Sequence, residues 1–315
     1  MRLPSILGSV EAVSEAAISV RGLRKAYGEN EAVAGIDFEV AAGEVFGFLG
    51  PNGAGKTTTI EILEGYRERS DGEVSVLGVD PAAPTRAWRE RVGLVLQECE
   101  LDPLWTVREA VSLFARFYDR PRAVEETIEL VGLGNKRDER IGSLSGGQKR
   151  RADVALGIVG DPDLIFLDEP TTGFDPGARR DAWNMIEGLK ALGKTVFLTT
   201  HYMDEAQHLA DRVAILRAGQ IVAEGKTEEI AAAIGRSTVI AFALDGSFGV
   251  EEVRATAFGS VSVAGDQVEV QTPDPQRDLY RLLALAEQRG AELRELEVRR
   301  PNLEDVFLEL TREDS

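Results

Sequence analysis

Ten residues, Gly50-Pro-Asn-Gly-Ala-Gly-Lys-Thr-Thr-Thr59, carry the clearest chemistry in the sequence. They follow a short apolar run, Glu44–Leu49, and lead into a helix-like run, Thr58–Leu63. Strand, glycine-rich loop and helix form the context in which G-x-x-x-x-G-K-[ST] means phosphate binding. Gly50, Gly53 and Gly55 let the backbone bend so that several N–H groups face one concavity. The positive end of the following helix dipole adds to it. Lys56 can reach the β- and γ-phosphates of a nucleoside triphosphate, and the Thr57 hydroxyl can ligate Mg²⁺. Pro51, Asn52, Ala54 and Thr58 complete the candidate cradle.

Other elements follow in a definite order. Gln97 comes after an apolar strand, Arg91–Leu96, and its amide can contact Mg²⁺ and an attacking water. Ser145, Gly146, Gly147 and Gln148 stand before a helix running toward Gly157, a second helix start suited to an anion. Leu164-Ile-Phe-Leu-Asp-Glu169 is an apolar strand ending in two carboxylates. The carboxyl end of such a strand is where ligands of open α/β sheets sit. Asp168 is a hard oxygen ligand for Mg²⁺, directly or through water. Glu169, one residue on, points elsewhere and is free to polarise a water attacking the γ-phosphate. His201 closes another apolar strand, Val196–Thr200, and can donate a hydrogen bond to the γ-phosphate. His208 receives no role.

These residues need elements to position them. Ala17–Leu23 and Ala32–Val40 alternate apolar and polar residues as half-buried strands do. Glu73–Leu77 reads as a further short strand. Val45–Leu49, Leu164–Leu167, Thr195–Thr199 and Val213–Leu216 are continuous apolar runs of the buried, parallel type. Their alternation with helices predicts an α/β fold with a parallel sheet covered on both faces. Helices from Thr106, which carries Val107, Val111, Phe114 and Phe117 up to Arg120-Pro121, and over Ala123–Val131 interrupt that alternation as an inserted helical subdomain at about 98–160. Residues 1–16 read as an extension. Beyond residue 235 lysine disappears, with 16 acidic residues against 9 arginines over 236–315. Strands at Val239–Leu244, Val268–Val270 and Leu293–Val298, with helices at Asp278–Arg289 and from Asn302, predict a small α+β domain there.

The 315 residues fit one large or two medium domains, and 43% apolar content suffices for sizeable cores. A net charge of −18 argues against a nucleic-acid surface, which needs a basic stripe. Cys99 is the single cysteine, so no intrachain disulfide forms, and a reducing cytoplasm fits. No run approaches the roughly 20 apolar residues that span a bilayer, and the N-terminal stretch, broken by Glu11 and Glu15, does not read as a signal peptide. Membrane association is expected to come through a partner.

The ordered set, above all Leu144-Ser-Gly-Gly-Gln148 after a phosphate loop, resembles the ATP-binding-cassette ATPases over about residues 17–235. The resemblance implies a P-loop NTPase fold of mixed sheet and helical subdomain, with ATP and Mg²⁺ as cofactors. It implies adenine stacking by Tyr27, in Arg-Lys-Ala-Tyr-Gly, and hydrolysis at Glu169 with Gln97 and His201. It also implies a head-to-tail homodimer, with ATP on the loop of one copy covered by Ser145–Gly147 of the other and Asp175 at the seam. The stretches Gln148–Ala155, Thr171–Pro176 and Pro301–Leu310 resemble exporter ATPases of the daunorubicin-resistance type. Those work with a separate ABC-2-type permease on the inner face of the cell membrane. Phe174 stands where the family most often has leucine. A non-transport cassette ATPase acting on a soluble or ribosomal partner is the alternative, and a nucleotide-binding scaffold without turnover is a third; the second cassette, coiled coil or missing catalytic residue these would carry is not seen.

Overall fold

The computed structural model describes residues 16–95, 101–227, 229–230, 238–244 and 249–299. Gln97, Cys99 and the helix expected from Asn302 lie outside them. The chain divides into two compact units, Met1–Glu224 and Gly225–Ser315.

The first unit holds two sheets. β1 (Ala16–Tyr27), β2 (Asn30–Ala41) and β4 (Asp71–Val76) form an antiparallel sheet in the order β2-β1-β4. The two half-buried strands read from the sequence are thus one long hairpin, turning at Gly28–Glu29. β3 (Val45–Leu49), β5 (Val92–Val95), β6 (Leu164–Asp168), β7 (Thr195–Thr200), β8 (Arg212–Arg217) and β9 (Gln220–Gly225) form a six-stranded sheet in the order β5-β6-β7-β3-β8-β9. From β5 to β8 its pairs are parallel. The apolar runs are continuous because both faces are covered. Val45, Ile165, Leu167, Val196 and Leu198 enter one core, and their neighbours Phe46, Leu164, Phe166 and Phe197 enter the other. The first core is capped by helices and the second by the hairpin sheet, where Phe38 stacks on Phe46 with centroids 5.8 Å apart.

The helices are α1 (Lys56–Leu63), α2 (Arg86–Glu90), α3 (Val107–Ala115), α4 (Val124–Leu130), α5 (Gly146–Ile158), α6 (Pro176–Ala191) and α7 (Met203–Leu209). Thr106 caps α3 through a capping box with Glu109, as its position predicts. The expected continuation to Phe117 is not there: α3 stops at Ala115, and Phe117 lies beyond it, 65% exposed, edge-on to Phe114. Among the described residues no helix is long and apolar enough to cross a membrane.

In the second unit, β10 (Thr238–Ala243), β11 (Ser260–Ala264), β12 (Gln267–Thr272) and β13 (Arg294–Arg299) form an antiparallel sheet in the order β11-β12-β10-β13. α8 (Val250–Thr256) and α9 (Pro275–Arg289) join it: Val253, Leu282 and Ala286 share a core with Ile240, Phe242, Val268 and Val270. α9 starts three residues before the expected Asp278, because Asp274 caps it and Pro275 occupies its first turn. Asp278 is instead buried, accepting the Phe258 N–H.

Candidate active site

The phosphate loop turns out of β3 and into α1. Gly55 sits at φ 106°, and a Cβ there would meet Ala32 O at 2.4 Å. Gly50 has no such φ, yet a Cβ on it would lie 2.7 Å from Leu216 O. Glycine is required at both places, by conformation at one and by close approach at the other. Gly219, in the turn between β8 and β9, donates to Ala54 O at 3.0 Å and accepts from Ala34 N at 2.8 Å, so the loop is tied to β2. Pro51, Asn52, Gly53 and Thr57 remain exposed, with Thr58 half-buried.

Lys56 is buried and donates to Gly50 O at 2.9 Å and Pro51 O at 3.3 Å. Its ammonium is also 3.4 Å from Glu169 Oε1. His201 Nδ1 stands 3.4 Å from the same oxygen without closing a hydrogen bond, and Thr172 Oγ1 donates to Glu169 Oε2 at 3.2 Å. Burial raises the pKa of Glu169, but Lys56, His201 and Thr172 together outweigh it, and the carboxyl is held below its ordinary range. It is an ionised acceptor at neutral pH. Glu169 has φ 44°, a left-handed backbone for a residue with a side chain. Its N–H is fixed by Thr199 O and Thr199 Oγ1, at 3.2 and 3.1 Å, which holds the strain of order 1 kcal/mol.

Asp168 ends β6 in a buried position, accepts from the Thr199 hydroxyl, and has its backbone carbonyl bound by Arg150 Nη2 at 3.0 Å. Desolvation raises its pKa, and Glu169 adds to that against the pull of Thr199, Lys56 and Arg150. A buried carboxylate so placed gains from a nearby cation. Among the described residues no group of three or more His, Cys, Asp or Glu could hold a metal alone. A single buried carboxylate suits an ion that takes most of its oxygens from phosphate and water, as Mg²⁺ does.

Ser145 caps α5 reciprocally with Gln148: Ser145 N donates to Oε1 at 3.0 Å and Gln148 N to Oγ at 3.3 Å. This helix start, Glu169 and the Pro170–Asp175 loop line one cleft of about 780 Å³, which takes no residue from Gly50–Thr58. Asp175 caps α6 by accepting from Gly177 and Ala178 at 2.9 and 3.1 Å, and those N–H groups lower its pKa. Tyr27 ends β1 with its ring 42% exposed, beneath Lys25 and Arg67 at 5.2 and 5.5 Å. Thr199 and Arg150 were not singled out from the sequence. Thr199 left a trace, a hydroxyl closing an apolar strand. Arg150 left none.

Residues 33–172 match the family description "ABC transporter", and 238–302 match a C-terminal domain of ABC transporter domain-containing proteins. A Nod factor export ATP-binding protein I from Rhizobium sp. (strain N33) is 41% identical over 306 residues, 95% of this chain and 98% of that protein. One of the same name from Paraburkholderia xenovorans (strain LB400) is 41% identical over 94% of this chain and 97% of its own length. The chain belongs to the ATP-binding subunits of ABC transporters. Solved ABC cassettes agree: one in an ADP conformation has a TM-score of 0.61 and 27% identity over 68% of this chain and 92% of its own. A dimeric post-hydrolysis cassette with ADP and phosphate has a TM-score of 0.59 and 25% identity, covering 66% of this chain and 98% of that one. The ABC subunit described here binds and hydrolyses ATP.

Proposed function

We propose that this chain drives export, hydrolysing ATP as a head-to-tail homodimer beneath a separate ABC-2-type membrane permease. The observation that carries the catalytic part is Glu169, an ionised carboxylate fixed between Lys56 and His201 at 3.4 Å from each. The name of the relatives, which match end to end, supports export. ATP places its phosphates on Gly50–Thr58 and its adenine against Tyr27. Lys56 then exchanges its contacts with loop carbonyls and Glu169 for phosphate oxygens. Glu169, released from the ammonium, orients the attacking water, and His201 contacts the γ-phosphate. Thr57, Asp168 and Gln97 would hold Mg²⁺, which neutralises charge developing on the β- and γ-oxygens.

Ser145–Gly147 and Asp175 line one cleft with Glu169, itself 3.4 Å from Lys56, and in the proposed dimer they serve the nucleotide of a second copy. The dimeric cassette among the solved structures supports dimerisation. The acidic chain is not expected to bind nucleic acid, and it reaches the cytoplasmic face of the membrane through the permease. The domains proposed are the ABC ATPase over 17–235, with its helical subdomain at about 98–160, and an accessory domain over 236–315. Glu169→Gln should bind ATP, hardly hydrolyse it, and elute as a dimer with ATP on size exclusion. Monomeric elution at saturating ATP would sink the head-to-tail arrangement.

A further inference from the structure

Behind the site lies a buried acid that none of these roles uses. Glu205, on α7, is fully buried, and neither of its carboxylate oxygens has a protein hydrogen-bond partner. Thr200, Thr171 and Trp183 surround it. Burial raises its pKa, while these three donors and the charge of Arg179 act in the opposite direction. Thr171 Oγ1 and Trp183 Nε1 are themselves buried without a protein hydrogen bond. Donors and acceptors that need one another thus share one enclosed space without having closed their bonds.

The surroundings of Glu205 come from three segments, each attached to a site residue. Thr171 lies two residues after Glu169. Trp183 and Arg179 stand on α6, whose cap is Asp175. Thr200 immediately precedes His201, and Glu205 follows it by four. Outside the carboxylate the same segments touch again. The Tyr202 ring lies 4.1 Å from His201 and 4.4 Å beneath the Arg179 guanidinium, and Arg179 pairs with Asp204 at 3.0 Å. Trp183 stacks on His208 at 4.5 Å. Burying a carboxylate costs more than burying a hydrocarbon of equal size. Packing α7 against α6 therefore does not by itself account for a glutamate here.

We propose that Glu205 is a positioning residue for ATP hydrolysis, gathering Thr171, Thr200 and Trp183 so that Glu169, Asp175 and His201 are set together. Two carboxylate oxygens offer about four lone-pair sites, enough for all three donors. A small shift of the Pro170–Asp175 loop closes or opens the Thr171 bond, while Trp183 ties the carboxylate to the helix that Asp175 caps. Events at Asp175, on the face assigned to the second copy, are thereby felt at Glu169 and His201. The inference rests on the reading of Glu169 and His201 as catalytic groups.

The test is steady-state ATPase kinetics of the full chain with Glu205→Gln and Glu205→Leu, alongside Glu169→Gln, His201→Ala and thermal melting. Glutamine keeps the shape but replaces one acceptor with a donor that opposes Thr171 and Trp183. The expected result is a kcat at least tenfold lower in Glu205→Gln, with KM for ATP within twofold and the melting temperature near wild type. Wild-type kcat in both Glu205 variants overturns the proposal. So does a kcat that falls only in step with melting temperature and KM, which marks a structural role. If Glu169→Gln and His201→Ala turn over at the wild-type rate, the catalytic reading itself fails, and the positioning role falls with it. Should the leucine variant not fold, the glutamine variant decides.

Discussion

The Lys56 ammonium is 3% exposed, and a cation so enclosed is stable only where oxygens surround it. Gly50 O, Pro51 O and Glu169 Oε1 do so. In the proposed cycle the lysine is a switchable partner: phosphate oxygens would replace the carbonyls and free Glu169. Lys56→Ala should therefore lower kcat by about 10²–10³, the loss typical of removing one preorganised charge stabiliser. Wild-type turnover in that variant would contradict the site assignment. A second residue-scale effect concerns Glu64, at the end of α1. Burial, with Asp168 and Glu61 nearby, raises its pKa from 4.5 to about 8. The folded chain keeps this proton over a range in which the unfolded chain releases it. Stability from this group is thus greatest below about pH 4.5 and declines as pH rises toward 8. Glu64→Gln should melt with wild type near pH 4.5 and above it at pH 9, as scanning fluorimetry would show; equal melting at both would refute the coupling.

At the scale of elements, the sequence was most legible where burial is complete. β3, β6 and β7 read as continuous apolar runs, because parallel strands covered on both faces leave no polar alternation. The phosphate loop was legible for the same reason that its glycines are required: a side chain at Gly55 collides with Ala32. What stayed hidden depends on tertiary contact. The left-handed turn at Glu169 exists because Thr199, on a neighbouring strand, holds its N–H. Nothing local to Asp168-Glu169 specifies it. Arg150 reaches the carbonyl of Asp168 from α5, a pairing that spacing along the chain does not announce. α3 shows the opposite limit: its cap was plain at Thr106, but its end was overrun, since Phe114 and Phe117 keep helical spacing after the helix has stopped. The start of α5 offers a test separating fold from chemistry. A Cβ on Gly146 meets nothing within 4 Å, and a carboxylate in a first helical turn suits the dipole. Gly146→Asp should then fold with unchanged melting yet lose ATPase activity, because it sets a negative charge where the proposed dimer would bring the phosphates of the second copy's nucleotide. Loss of folding, or full activity, would count against this role for the helix start.

At the scale of the whole molecule, the proposed dimer makes each ATP site a joint product of two copies, and that has an arithmetic consequence. A Lys56→Ala subunit spoils the site on its own loop, and a Gly146→Asp subunit spoils the site on its partner's loop. Each variant alone has both sites of its dimer impaired. In a mixed dimer both defects fall on one site: the other takes an intact Lys56 from the Gly146→Asp copy and an intact Gly146 from the Lys56→Ala copy. Random pairing of equal amounts makes half the dimers mixed, with one intact site of two, so activity should recover to about a quarter of wild type. A site complete within one copy gives no such rescue, since neither variant then holds an intact pair. The measurement is ATPase rate against mixing ratio at fixed total protein, maximal at equal parts if the sites are shared. A flat response at the level of the separate variants would return the nucleotide to a single chain and remove closure of two copies as the step that drives the permease.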